Sequence, residues 1–174
     1  DGGQQTILVL PAEIEIFARL NTVLAFDGRA ESMRWESMVD PRVPIPPFIR
    51  RLTGIDEASI VGAPTFPMVV GTLQALTRGR IVVAHNVRYD MTALEHEFAR
   101  TGLVFERRTL CTERTGRRLL PHLGRHNLGS LCHHFGIPFK TRHRAGSDAE
   151  ATSLLLFRLM DAFGQERVLE GVTA

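Results

Sequence analysis

Several features that mark other protein classes are missing from this sequence of 174 residues. No run of about 18 apolar residues occurs, which excludes a typical transmembrane helix. The first residues lack the basic and apolar regions of a secretory signal peptide. Only two cysteines, Cys111 and Cys132, are present, too few for a disulfide framework or a zinc site. We therefore expect a cytoplasmic protein without a membrane partner, in which both thiols are reduced and buried.

Lysine is almost absent. Lys140 is the single lysine among 21 basic residues, so all the others are arginine, although the net charge is only +2. A guanidinium offers a flat fork of donors that suits phosphate. A genome rich in G and C produces the same bias without any function, and composition alone does not separate the two explanations.

The order of apolar patterns predicts an α/β fold. Short apolar runs predict five strands, at about 6–10, 23–26, 33–39, 80–84 and 108–111. Helical spacing predicts helices at about 67–77, 88–100, 113–119 and 128–134, a helical turn at 48–52, and a long final helix with Ser147 or Asp148 as its cap. Three strands first, then strands alternating with helices, predict a mixed five-stranded sheet flanked by helices. We expect one domain over residues 1–174, with its core at about 6–162.

Two later segments carry residues suited to catalysis. Asp90 lies in the first turn of the helix that follows a buried strand and the pair His85-Asn86. His143 lies on a glycine-containing loop, five residues before Asp148 at a helix start. Carboxylates at strand ends could hold a hard cation, and a histidine could accept a proton from water. Alternatively, both aspartates only favour their helix starts, and His143 is a surface residue.

The first strand ends in Leu10-Pro11-Ala12-Glu13. If this strand is central in the sheet, Glu13 lies beside the carboxylates of the later strand ends.

These segments resemble the DEDDh (DnaQ-like) 3′–5′ exonuclease family. Ala84-His85-Asn86 with Asp90 resembles the second family motif, and His143 with Asp148-Ala149 resembles the third. The stretch from Pro44 to Phe66, which includes Leu52-Thr53-Gly54-Ile55, resembles the segment that links the first and second motifs. The order and spacing of these matches extend over about residues 6–162.

The resemblance implies a ribonuclease H-like exonuclease fold and a site with two divalent cations, Mg²⁺ or Mn²⁺. It implies that Asp90, Asp148 and Glu13 hold the cations, while His143 is the general base. Two cations would stabilise the entering and the leaving oxygen at phosphorus. The resemblance also places Thr53, Gly54, His85 and Asn86 near the terminal nucleotide.

The implied function is removal of nucleotides from single-stranded 3′ ends, of DNA or of RNA, in proofreading or repair. A DNA polymerase subunit is a possible partner. The alternative is a domain of the same fold that has lost catalysis and binds strand ends or a polymerase.

The first family motif is incomplete here, because Pro11 stands where the family has an aspartate. Proline has no side-chain ligand, so at least one cation would be held more weakly. Three explanations stay open: catalysis has been lost, the site has been rebuilt with a residue such as Glu15, or this stretch differs from the natural sequence.

Arginines are dense in one later stretch: Arg107, Arg108, Arg114, Arg117, Arg118 and Arg125. They could form a basic wall that guides a phosphate backbone, as could Arg142 and Arg144 beside His143. Equally, they could form a solvated helix face balanced by Glu106 and Glu113. Tyr89 and Phe48 are the aromatic residues placed to meet a base.

Overall fold

The computed structural model describes residues 6–9, 19–139 and 145–174. Its described residues form one mixed sheet with strands in the order β3-β2-β1-β4-β5. The strands are β1 (Thr6–Val9), β2 (Arg19–Asp27), β3 (Ala30–Met38), β4 (Ile81–Ala84) and β5 (Thr109–Cys111). β1 pairs antiparallel with β2 and parallel with β4, so the first strand is central, which is the condition on which the prediction for Glu13 depends.

Helices surround this sheet: α1 (Pro47–Thr53), α2 (Phe66–Thr77), α3 (Val87–Arg100), α4 (Thr112–Leu119), α5 (Leu128–His134), α6 (Ala145–Phe163) and α7 (Gln165–Leu169). A single 3-10 turn, Ala58–Ile60, precedes α2. None of the helices in the described part of the chain combines the length and the hydropathy that a membrane span requires.

The alternation of side chains along β4 divides the core into two layers. Ile81 and Val83 pack with the layer that contains α4, α5 and α6. Val82 and Ala84 pack with the layer that contains α2 and α3. Because both faces of β4 are covered, all four of its residues are buried. The prediction of an α/β fold with helices on both faces of a mixed sheet is confirmed.

Three boundaries differ from the predictions, and one of them is the start of β3, which lies at Ala30 instead of near residue 33. β2 begins at Arg19 instead of near residue 23, because its polar first residues pair with the end of β3 across a long hairpin. α6 begins at Ala145, which places Ser147 and Asp148 inside its first turns. The prediction that one of these two residues caps the helix is therefore wrong.

Candidate nuclease site

The sharpest backbone turn near the site joins β4 to α3. Asn86 adopts φ 66° and ψ 45°, in the left-handed region, where asparagine is among the few non-glycine residues found regularly. This turn lets the chain leave a buried strand and enter a helix within two residues. It places Asp90 in the first turn of α3, where it is completely buried. The helix dipole favours a negative charge at this position.

His85 closes the end of β4 against the start of α4. Its Nδ1 lies 3.0 Å from Oγ1 of Thr112, and that hydroxyl lies 3.4 Å from the carbonyl oxygen of Ala84, to which it donates. Burial lowers the pKa of His85 to about 4 from its ordinary value of 6.5, against the opposing effect of the Glu113 carboxylate. The imidazole is therefore neutral near pH 7. Its ring is held by Thr112, the first residue of α4, directly after β5.

Asp148 is buried on the first turns of α6, with 7% of its surface exposed. The Asp148 carboxylate interacts electrostatically with the thiol of Cys132 on α5. Burial and, secondarily, this carboxylate raise the pKa of the Cys132 thiol to about 11. Cys111 and Cys132 are both buried, which confirms the prediction that these thiols lie in the interior.

Ion pairs show which end of the sheet α6 starts from. Arg34 of β3, which lies level with the end of β1, contacts Glu150 near the start of α6 at 2.7 Å. At the opposite end of the sheet, Arg29 in the β2–β3 turn contacts Asp161 at 2.6 Å. α6 therefore begins where the parallel strands β1 and β4 end. Asp148 lies at the same end of the sheet as Asp90, as the predicted site requires.

The segment between β3 and α2 is held by a small cluster of its own, formed by Ile45, Ile49, Ile55 and Ile60. Gly54 ends α1 with φ 73°, and its N–H donates to the carbonyl of Arg50 at 2.8 Å. A side chain at this φ would be strained. The predicted nucleotide-binding residue Thr53 is the last residue of α1.

Two aromatic residues are exposed in this part of the molecule. Phe48 of α1 is 57% exposed and Tyr89, next to Asp90, is 67% exposed. Large apolar side chains are usually covered, so both rings are available for stacking. Their contact with a base stays a prediction.

The other predicted site residues lie outside the described residues: Pro11, Glu13, Glu15, Arg142, His143 and Arg144. Within residues 6–9, 19–139 and 145–174, no three His, Cys, Asp or Glu side chains come together as a metal site. Asp90 and Asp148 supply carboxylate oxygens, the ligand type that Mg²⁺ and Mn²⁺ prefer. The donor set present fits a hard divalent cation, with further ligands required from elsewhere.

The residue that the sequence did not reveal is Thr112. Thr112 directly follows β5, the neighbour of β4, and it contacts His85 although the two residues are 27 positions apart in the sequence. A polar residue directly after a short buried strand is the signal that could have indicated it.

The fold belongs to the class of ribonuclease H-like exonucleases. Exonuclease X, solved in complex with 5′ overhanging duplex DNA, superimposes with a TM-score of 0.72 at 20% identity, over 95% of this chain and 98% of the other. The nuclease domain of 3′hExo, a DEDDh family member bound to rAMP, gives a TM-score of 0.76 at 14% identity, over 95% and 96%. At these identities the likeness shows the fold.

Sequence comparison identifies the family. The exonuclease family model RNase T matches residues 10–156, so the chain belongs to this exonuclease family. The PolC-type DNA polymerase III of Halalkalibacterium halodurans is 37% identical over 128 residues, 73% of this chain and 9% of that protein. The 3′–5′ exonuclease DinG of Staphylococcus epidermidis is 30% identical over 132 residues, 75% of this chain and 15% of that protein. The chain thus spans a small part of the length of these relatives.

Proposed function

We propose that this domain hydrolyses phosphodiester bonds from the 3′ end of single-stranded DNA with two bound Mg²⁺ or Mn²⁺ ions. The observation that carries the proposal is the placement of two buried aspartates, Asp90 and Asp148, on separate helices at the end of the sheet where β1 and β4 finish. Family membership supplies the reaction class.

Each residue has a proposed role. Asp90, Asp148 and Glu13 hold the cations, which when bound stabilise charge on the phosphoryl oxygens. His143 takes the proton from the attacking water. His85 differs from His143 in this respect, because its pKa of about 4 leaves it neutral and without the basicity of an ordinary imidazole. We assign His85 and Asn86, together with Thr53 and Gly54, to binding the terminal nucleotide.

Arg142 and Arg144 beside His143 are proposed to bind the phosphate backbone. The relatives suggest the setting: one is named a PolC-type DNA polymerase III and another a 3′–5′ exonuclease. We propose that the domain works in proofreading or repair in the cytoplasm and associates with a DNA polymerase. We propose DNA as the substrate because a relative by sequence is a DNA polymerase III. Among the structural neighbours, E. coli exonuclease I was solved with a dA16 oligonucleotide and 3′hExo with rAMP.

The test is digestion of single-stranded DNA that carries a label at its 5′ end, with Mg²⁺, with Mn²⁺ and with EDTA. We expect a ladder of products shortened from the 3′ end in either metal and none in EDTA. Asp148→Asn should abolish the ladder, and Asp161→Asn, on the same helix but paired with Arg29 at the far end of the sheet, should retain it. His143→Ala should also lose activity. An RNA strand of the same sequence measures the preference for DNA.

The competing function is binding of strand ends without catalysis, and the replacement of the family aspartate by Pro11 is the observation that favours it. If wild-type protein leaves the 3′ end intact in both metals yet binds the oligonucleotide, this second function replaces the first.

A further inference from the structure

Two groups can be distinguished among the arginines of the described residues. One group is neutralised: each member lies within 4 Å of a carboxylate, as Arg117 does with Glu113 and Arg118 with Glu170. Within the described part of the chain, another group has no carboxylate partner and lines two cavities that share lining residues: Arg78, Arg80, Arg88, Arg107, Arg108 and Arg114. The dense arginine stretch of the sequence therefore contains both kinds, and only its unneutralised members face these cavities.

Two cavities share lining residues of the segment 106–108, and we call the surface that they form together the arginine groove. The smaller, of about 340 Å³, is lined by Arg78, Arg80 and the segment 106–108. The larger, of about 790 Å³, is lined by the same segment together with residues of α3, by Arg114 and by residues 173–174. The shared segment immediately precedes β5, so the groove follows the edge of the sheet beside this strand.

The groove extends from the end of the sheet at which the candidate nuclease site lies to the opposite end. Arg88 lies two residues before Asp90, and Arg114 lies two residues after Thr112, the partner of His85. Arg80 and Arg108 directly precede β4 and β5, at the other end of these strands. At about 3.3 Å per strand residue, the two ends are on the order of 15 Å apart.

Two arginines of the groove are already held in place. Arg107 donates from Nε to Oγ1 of Thr77 at 3.0 Å, and its guanidinium lies over the ring of Phe105, 4.7 Å from the centroid. Arg80 donates from Nη1 to the carbonyl of Leu76 at 2.6 Å. Neither contact cancels the positive charge, so both groups are ordered without being neutralised. Ordering before binding lowers the entropy cost of engaging an anion.

The positive charges of the groove also act on one another. Burial lowers the pKa of Arg107, and the neighbouring Arg78 guanidinium lowers it further. Acidic residues are present, since Glu95 and Glu106 also line the larger cavity, but they are outnumbered by arginines. A surface with surplus positive charge along its length attracts a polyanion.

We propose that the arginine groove binds consecutive phosphates of the nucleic-acid strand whose 3′ end occupies the candidate nuclease site. The proposal rests on the proposed exonuclease function for the identity of the anion. A strand leaving the site passes Arg88 and Arg114 first, and the remaining arginines follow along the groove toward the far end of the sheet. Guanidinium groups bind phosphate through paired donors, independently of base sequence.

The test uses a double variant at the far end of the groove, Arg78→Gln with Arg108→Gln. Both side chains are exposed and make no ion pair with any described residue, so the fold should be retained. The matched control is Arg158→Gln with Arg167→Gln, which removes the same charge from exposed arginines outside the groove. Thermal unfolding followed by circular dichroism checks both proteins.

Binding is measured by fluorescence anisotropy with a labelled single-stranded DNA of about 16 nucleotides, in EDTA so that no cleavage occurs. The groove variant should bind about tenfold or more weakly than wild type at low salt, and the slope of log K against log salt should fall by about 2. The control variant should behave as wild type. Equal losses in both variants, or no loss in either, would overturn the proposal.

An acidic partner protein is the competing occupant. A labelled polyglutamate peptide, tested with the same proteins, separates the two: if the groove variant loses the peptide but keeps the oligonucleotide, the nucleic-acid proposal is wrong.

The digestion assay tests the proposed nuclease function independently of the binding measurements on the groove. Loss of binding in the groove variant with no digestion by wild type would support the groove and refute the nuclease, whereas digestion with unchanged binding would do the reverse.

Discussion

The two ends of the parallel strands differ in which ionisable residues they carry and in how far these residues are buried. At the end where β4 finishes, Asp90 and Asp148 are buried on helix starts. At the end where β4 and β5 begin, Arg78 and Arg108 are exposed on connecting segments. Buried charge requires fixed partners, and exposed charge can recruit mobile ones. One sheet therefore carries buried carboxyl groups at one end and exposed guanidinium groups on the connections at the other.

The largest expected effect follows from removing charge at the acidic end. Asp90→Asn should lower the rate of nucleotide release by at least about 100-fold, because the residue that we propose as a metal ligand loses its charge. Glu97→Gln on the same helix α3, which is paired with Arg100, is the control and should stay close to wild type. Initial rates with a labelled single strand at saturating Mg²⁺ measure both. A near-normal rate for Asp90→Asn would contradict a catalytic role for the end of the sheet that carries Asp90.

The next effect is a dependence of stability on pH that originates at the acidic end. In the unfolded chain, His85 binds a proton with a pKa near 6.5, whereas in the folded protein its pKa is about 4. Between these two pH values the unfolded state therefore holds more protons than the folded state. The free energy of unfolding should therefore fall as the pH is lowered through this window, by up to about 3 kcal/mol from this residue.

Urea unfolding at several pH values within that window checks this expectation. His85→Asn should remove most of the slope, whatever its effect on stability at neutral pH. His96→Asn, an exposed histidine of α3, is the control and should keep the slope. An unchanged slope in His85→Asn would show that other groups cause the dependence.

A smaller effect is expected where packing supports the basic end. Phe105 is buried, packs against Phe98 with centroids 4.4 Å apart, and carries Arg107 on its face. Phe105→Leu should cost about 1–2 kcal/mol, because the ring pair and the cation–π contact are lost while the site stays apolar. Chemical denaturation measures the loss, and Val104→Ala, at an exposed position, should change stability by less than about 0.5 kcal/mol. A cost no larger than that of the control would contradict the role of the ring.

The smallest effects concern exposed arginines at the two ends. Arg34→Gln breaks contacts with Glu31 and Glu150 and should cost below about 1 kcal/mol, as exposed ion pairs do. Arg108→Gln breaks no ion pair among the described residues and should leave stability within about 0.5 kcal/mol of wild type. Thermal unfolding of the two variants side by side tests the comparison. A larger loss in Arg108→Gln would mean that the groove arginines serve the fold.

Much of the fold was predictable because each element repeats a simple pattern. The continuous apolar run before His85 predicted β4, which is buried on both faces, and helical spacing predicted α3. The start of β2 was missed because residues 19–22 are largely polar and become strand only through pairing with β3. The start of α6 was placed too late, since Gly146 has a low helix propensity, and the cap residues Ser147 and Asp148 suggested a boundary.

The site was predictable to the extent that its residues are local. Asp90 follows its strand within a few residues, so its place at the end of the sheet could be inferred. The contact between His85 and Thr112 depends on β4 and β5 being neighbours, which no local pattern encodes. The arginine stretch shows the same limit. Arg118 is neutralised by Glu170, which is 52 residues away in the sequence. Arg114, one helical turn before Arg118, is not neutralised by any described residue.

The pairing of Thr109 with Thr173 has a consequence for association between copies of the domain. Each residue donates its N–H to the carbonyl of the other, at 2.8 and 2.9 Å, so this position of the outer border of β5 already has backbone partners. The opposite border, β3, presents Glu31, Arg34 and Glu36 instead. Backbone pairing at one border and charge at the other discourage intermolecular strand addition, and with it aggregation through the sheet.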